Sequence, residues 1–121
     1  EFLLQSQLGA ARAVIQAVAP GMRLRRWGRV LLVTVGTVGS EGAAALNGAC
    51  NALAATWGAD LGGHGLTCNS INLKLEAGGK PASAEGRRTQ AECLVGPAVL
   101  LVGPAGAGIN GAVLPVHARR V

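Results

Sequence analysis

The amino-acid sequence predicts an α/β fold in which parallel strands alternate with helices. An amphipathic helical pattern precedes a short β-branched run, and a long segment rich in Ala and Gly then leads to a second apolar run. This order is typical of a parallel sheet, because parallel neighbours need a long crossover connection. With 121 residues, the chain is expected to form one domain, residues 1–121, short for a complete doubly wound fold. We therefore expect a partial doubly wound parallel sheet, ordered helix, strand, helix, strand, loop, helix, strand.

The first two predicted elements are a helix over residues 3–19 and a strand over residues 29–35. Apolar residues recur at helical spacing through the first segment, at Leu4, Leu8, Ala11, Ile15 and Val18. Pro20 and Gly21 are expected to end this helix. The run that follows is almost continuously apolar, which predicts a strand buried on both faces of the sheet.

The second helix is predicted to begin after Ser40, whose hydroxyl can cap it, and to leave through a left-handed turn at Gly62 and Gly63. Its expected core stripe is Leu46, Cys50, Leu53, Trp57 and Leu61. The second strand is predicted over residues 66–71. Residues 72–86 are expected to form a mobile loop, residues 89–102 a helix kinked or split at Pro97, and residues 112–116 a last strand.

Composition narrows the possible functions. The hydrophobic fraction of 50% indicates a globular chain, and no apolar run approaches the roughly 18 residues that span a membrane, so no membrane partner is expected. Three widely spaced cysteines predict neither a disulfide framework nor a zinc site, which favours a reducing compartment such as the cytoplasm. Because the chain opens on Glu1 without Met, we expect it to begin inside a longer sequence.

The net charge of +5 suggests an anionic partner. Its arginines are divided among separate turns, however, and the aromatic residues are only Phe2, Trp27 and Trp57. A chain with so few rings has little on which bases can stack, so a nucleic-acid partner is not expected from the sequence.

Three segments, residues 17–30, 58–71 and 106–116, carry a family resemblance. They include Ala-Pro-Gly-Met before the first strand, Gly-Leu-Thr-Cys-Asn-Ser-Ile at the second, and Ile-Asn-Gly-Ala-Val-Leu-Pro-Val at the last. In this order they resemble the C-terminal half of a short-chain dehydrogenase/reductase, closest to the 3-oxoacyl carrier-protein reductase branch. The resemblance implies a Rossmann-like fold and NAD(P)-dependent carbonyl reduction.

The resemblance also implies where catalytic residues would lie. The family's serine falls near Thr34 or Val35. Its proton-donating tyrosine and the lysine four residues later fall on Leu46 and Cys50, and no tyrosine exists anywhere in the chain. A helper asparagine, near the substrate, falls on Gln7. The resemblance implies cofactor-binding positions at Asn69, Ser70, Ile71 and Asn72. The family's Pro-Gly, which borders the nicotinamide, is replaced here by Asn72, Leu73 and Lys74.

These departures predict a degenerate reductase-like protein that is non-catalytic by itself, binds no cofactor by itself, and acts as an oligomeric or partner-binding unit. The resemblance places the expected interface on the helices over residues 3–19 and 41–61. One alternative is an oxidoreductase that uses NAD or NADP once its cofactor half is supplied by further sequence or a partner. Another is a small basic adaptor for an acidic partner, such as carrier protein or RNA.

Two glycine patterns and two histidines are candidates for other sites. Gly106-x-Gly108-x-x-Gly111 matches the dinucleotide fingerprint as a string, but too few residues follow it. Residues 34–42 could be a decayed phosphate-binding turn, although Val35 and Glu41 stand where glycines are needed. His64 is expected in a surface turn and His117 at a fraying end, and no metal site is predicted.

Overall fold

In a computed structural model of the protein, which describes residues 2–75 and 84–118, helices pack around a three-stranded parallel sheet. The element order is the predicted one, and the partial Rossmann-like α/β fold is confirmed. The elements are α1 (Phe2–Arg25), β1 (Gly28–Thr37), α2 (Glu41–Gly62), β2 (Leu66–Leu75), α3 (Ala84–Val102), a 3₁₀ turn (Pro104–Gly106) and β3 (Val113–His117). Over the described ranges, no helix combines the length and apolar character that crossing a bilayer requires.

The strands lie in the order β1, β2, β3, and both pairs are parallel. Ten residue pairs join β1 to β2, from Gly28 opposite Leu66 to Thr37 opposite Leu75. The shorter β3 pairs along the second half of β2, with Ser70 opposite Val113. β2 is therefore the central strand, and its first eight residues are all buried.

The two faces of the sheet differ in what covers them. Side chains alternate between the faces along a strand, and the even-numbered positions of β1 and β2 face α1 and α2, where Leu32 and Cys68 join a core cluster. α3 contacts all three strands and lies on the opposite face. The prediction that β1 is buried on both faces is wrong. Val33 and Val35 are 48% and 54% exposed, because β1 is an edge strand that α3 covers only in part.

α1 does not end at Pro20, as the sequence predicted, but continues to Arg25. Proline removes one backbone donor from a helix interior, which is unfavourable. Here Ala19 on one side of Pro20 is buried and Met22 on the other packs against the same core cluster, so tertiary contacts offset the loss. The expected stripe also shifts at its end, because Ala19 rather than Val18 turns inward.

α2 begins as predicted, with Ser40 Oγ accepting a hydrogen bond from the Ala43 amide at 3.3 Å. Its predicted exit is wrong. Gly63 has an ordinary right-handed conformation, and the left-handed residue is Gly65, with φ of 79°. In the predicted stripe Cys50 and Leu61 are buried and the other three members partly so, while Ala54 and Gly58 are also buried.

The predicted loop over residues 72–86 is wrong at both ends. β2 continues to Leu75 because β1 runs beside its whole length, and α3 already begins at Ala84; residues 76–83 lie outside the described part of the chain. Pro97 lies within α3 without splitting it, and Leu101, one turn later, is fully buried while α3 contacts the sheet. β3 lies one residue later than predicted, so His117 ends a strand rather than fraying.

Candidate functional site

Four polar side chains meet between the sheet and α2, and we call them the Thr34 cluster: Thr34, Asn51, Ser70 and Asn72. Thr34 Oγ1 donates to Asn72 Oδ1 at 2.9 Å, and Ser70 Oγ donates to Asn51 Oδ1 at 2.8 Å. Ser70 Oγ also lies 3.4 Å from Asn72 Oδ1. The three strand residues are buried, so the hydrogen bonds compensate for the loss of water around them.

The strand register assembles this cluster. β1 and β2 pair so that Thr34 stands directly opposite Asn72, and Ser70 lies two residues earlier on the same face. That face turns towards α2, which contributes Asn51. None of the four side chains titrates near neutral pH. The cluster can therefore hold polar atoms in fixed positions but cannot by itself supply or remove a proton.

Leu46 and Cys50 lie one turn apart on α2, on the side that packs against the sheet. Cys50 belongs to the core cluster with Leu32, Ala54 and Cys68, and Leu46 packs against it. Burial raises the pKa of the Cys50 thiol above its ordinary value, so the thiol stays protonated and poorly nucleophilic at neutral pH. The two positions that would carry a phenol and an ammonium in the family are part of the hydrophobic core here.

The four residues matched to the cofactor segment divide between the two faces of β2. Ser70 and Asn72 join Thr34, whereas Asn69 and Ile71 point to the α3 side and are fully buried. Asn69 Nδ2 donates to the Ile109 carbonyl at 2.9 Å, and Asn69 Oδ1 accepts from the Ala112 amide at 2.8 Å. Gln7 is exposed on α1 and has no hydrogen bond to the cluster.

Asn110 forms a second pair of side-chain hydrogen bonds, besides that of Asn69, and the sequence analysis did not identify it. Its Oδ1 accepts from the Cys68 amide at 2.9 Å, and its Nδ2 donates to the Gly58 carbonyl at 2.7 Å. A Cβ at Gly58 or Gly62 would lie within 3 Å of this amide group, so these glycines make room for it. The available signal was the turn sequence Ile-Asn-Gly before β3. Asn51 was missed too, and its signal was an amide beside the apolar stripe of a helix.

The remaining sequence candidates lie apart from the cluster. His64 follows α2 in an exposed turn, and within residues 2–75 and 84–118 no three His, Cys, Asp or Glu side chains are grouped to hold a metal ion. Gly106 ends the 3₁₀ turn after α3, and Gly108 and Gly111 come after that turn. The three glycines therefore do not follow a strand, unlike those of the dinucleotide fingerprint. Residues 34–42 do join a strand to a helix, with Glu41 in the first turn of α2.

Burial of Cys68 makes stability depend on alkaline pH. Burial raises the pKa of this thiol from 9.0 to about 11. Between these values the unfolded chain loses the proton while the folded chain keeps it, so the free energy of unfolding falls by about 1.4 kcal/mol per pH unit. Below the unfolded pKa the effect vanishes. Urea unfolding at about pH 8 and about pH 10.5 should reveal the loss of stability. Cys68→Ala should make the free energy of unfolding less dependent on pH in this range. An unchanged pH dependence in this variant would contradict the assignment.

Comparison with known proteins supports the fold. No protein-family model matches the sequence, and no curated protein matches it significantly. Among solved structures, one described as "a putative betaketoacyl-ACP reductase" superposes with a TM-score of 0.74 at 20% sequence identity. The superposition covers 96% of this chain and 56% of the solved one. The chain thus spans little more than half the length of its structural neighbour.

Proposed function

We propose that this chain is a degenerate member of the short-chain dehydrogenase/reductase fold, that it does not reduce carbonyls by itself, and that it acts as an assembly unit. The observation that carries the proposal is the burial of Cys50 in the core, with the partly buried Leu46 packed against it. Carbonyl reduction needs a proton donor beside the developing alkoxide. Leu46 has no proton to give, the pKa of Cys50 is raised by burial, and the Thr34 hydroxyl already donates to Asn72.

The assembly part of the proposal rests on the outer face of α1 and α2. A groove of about 410 Å³ runs between these helices. It is lined by Leu8, Gly9, Arg12, Ala49, Ala52, Leu53, Thr56 and Trp57. Small residues along both helices allow the backbone of another helix to come close, and the exposed apolar surface gains from being covered. A second copy of the chain, presenting the same face, is the proposed occupant.

The catalytic part is tested by incubating the purified chain with NADH or NADPH and a 3-oxoacyl thioester, while the absorbance of the reduced nicotinamide is followed. We expect no turnover above the rate without protein. An active bacterial-type reductase, assayed in parallel, shows that the substrates are competent. Turnover that depends on the chain and disappears in Thr34→Ala would overturn the proposal, since it would give the Thr34 hydroxyl a catalytic role.

The assembly part is tested with a charge placed in the groove. Ala52→Arg introduces a cation among the lining residues. We expect the dissociation constant of the dimer, measured by native mass spectrometry, to rise by about tenfold or more. Ala59→Arg is the matched control, because Ala59 is exposed on the same helix but does not line the groove. A monomeric parent chain, or equal losses in the two variants, would contradict the groove as the interface.

A second candidate function is an oxidoreductase whose cofactor half comes from another polypeptide. The open side of β1 favours it, because this ten-residue strand pairs with β2 alone in the described sheet and exposes Val33 and Val35. The neighbouring solved structure is also longer than the region matched. Native purification would then return a complex containing a second chain with a Gly-rich turn and a bound nicotinamide dinucleotide. Recovery of this chain alone would exclude that function.

A further inference from the structure

We propose that the end of α1 and the start of β1 bind single-stranded nucleic acid. The binding region is the Trp27 surface, made of Arg23, Arg25, Arg26, Trp27 and Arg29. It lies at the amino-terminal edge of the sheet, at the opposite end of β1 from Thr34. The inference is independent of the assembly proposed above, which uses the groove between α1 and α2.

The charge of this surface is unpaired. Arg23, Arg25 and Arg26 are exposed, and their guanidinium groups make no hydrogen bond or ion pair within residues 2–75 and 84–118. A helix C-terminus does favour cations through its dipole, which accounts for Arg23 and Arg25. It accounts less well for Arg26, which lies beyond the last helical residue.

Arg26 occupies a backbone conformation that an arginine adopts at a cost. The Trp27 amide donates to the Met22 carbonyl at 3.3 Å and the Arg26 amide to the Arg23 carbonyl at 3.2 Å, which is the Schellman pattern that closes a helix. The residue at the centre of this pattern is usually glycine, because its φ is positive. Arg26 has φ of 52°. A strained arginine at an exposed turn indicates that its side chain serves a purpose other than stability.

Trp27 supplies a stacking surface in the middle of these charges. It is 56% exposed, and the Arg29 guanidinium carbon lies 5.2 Å from the ring centroid. Arg29 is itself anchored, since its Nη1 donates to the Gly28 carbonyl at 3.0 Å and lies 3.4 Å from the Gly65 carbonyl. The arginine therefore holds one side of the indole in place while much of the ring stays open to solvent.

An exposed ring beside free cations is the combination with which proteins bind single strands, because bases stack on the ring while cations contact phosphates. A duplex fits less well, since its bases are reached by an element that enters a groove, and here a helix end and a turn form the surface. Few aromatic residues argued against nucleic acid at the level of sequence. The structure alters that argument, because one of the two tryptophans is exposed within the arginine cluster.

The test is fluorescence anisotropy of a labelled oligouridine, titrated with the full chain at several salt concentrations. Single strands release about 0.7 counterions per phosphate contacted, so three arginine contacts predict a slope of about −2 for log affinity against log salt. Trp27→Leu should weaken binding about tenfold, and Trp27→Phe, which keeps an aromatic face, should retain most of it.

Charge-matched variants separate a local site from general attraction. Arg23→Gln with Arg25→Gln should make the salt dependence shallower, with a slope of log affinity against log salt of about −0.7. Arg87→Gln with Arg88→Gln removes the same charge from exposed positions of α3 and should leave the affinity within about twofold. Arg26→Gly should weaken binding about threefold while raising the melting temperature by about 4 °C, because glycine relieves the strained turn. Loss of binding with higher stability cannot result from unfolding.

Three outcomes would overturn the proposal: no salt-dependent binding of oligouridine, equal losses in the two double variants, or unchanged affinity in Trp27→Leu. Poly-glutamate is the competitor that distinguishes partner classes. Displacement of oligouridine by poly-glutamate at an equal concentration of charge would mean that the surface binds any acidic chain, protein included, and would also count against the proposal.

Discussion

Replacing Gly65 with alanine is expected to lower the free energy of unfolding by about 3 kcal/mol or more. Gly65 has φ of 79°, a conformation that costs an L-residue about 1 kcal/mol or more. A Cβ at this position would also collide with the backbone carbonyl of Arg26. Because the turn before β1 and the turn before β2 lie against each other there, the clash can be relieved only by moving backbone. Urea denaturation should show the loss as a lower midpoint with an unchanged slope.

Gly48→Ala is the control for this experiment and has the opposite expected sign. Gly48 lies inside α2, and no atom outside its own helix backbone lies within 4 Å of a Cβ built there. Alanine is favoured over glycine in a helix interior by about 1 kcal/mol, so this variant should be more stable than the parent. If Gly65→Ala were also neutral or stabilising, the close contact between the two turns would be wrong.

Asn69→Ala is expected to lower the free energy of unfolding by about 3 kcal/mol. The Asn69 side chain is fully buried and pairs with both the Ile109 carbonyl and the Ala112 amide. Its removal leaves a backbone donor and a backbone acceptor without partners beside β2, and each such group costs about 1–3 kcal/mol when buried. Equilibrium unfolding followed by circular dichroism is the measurement.

Asn47→Ala provides the matched comparison. Asn47 is half-buried on α2, and its side chain makes no hydrogen bond within the described residues. Alanine also has the higher helix propensity, so the free energy of unfolding should change by less than about 0.7 kcal/mol and in the stabilising direction. Similar losses in the two variants would mean that the Asn69 bonds contribute little.

The element order could be predicted from the sequence because it depends on local patterns. Helical spacing identified α1, the Ser40 cap fixed the start of α2, and β-branched runs identified the strands. The ends of elements depended on contacts with distant residues, which no local pattern contains. α1 continues past Pro20 because Met22 packs on the core, and β2 reaches Leu75 because β1 lies beside it.

The candidate site was predictable to a similar degree. The four-residue spacing of Leu46 and Cys50 places them on one face of α2 from sequence alone. That Thr34 meets Asn72 depends on the register between two strands separated by a helix, and a shift of one residue would have turned Asn72 to the other face. The hydrogen bonds of the Asn69 and Asn110 side chains join residues about 40 positions apart, so only the folded chain reveals them.

The hydrogen bonds of Asn69 and Asn110 also have a consequence for the order in which we expect the strands to form. β1, α2 and β2 are consecutive and can form together, because each contact closes a short or helical connection. β3 pairs with β2 over five residues. Asn69 on β2 bonds to the turn before β3, and Asn110 in that turn bonds back to β2 and α2. These bonds can form only after β1, α2 and β2 have folded together, because β2 then has a fixed position. We therefore expect the last strand to be the final part of the sheet to assemble and the first to open, while the core beneath α2 stays closed.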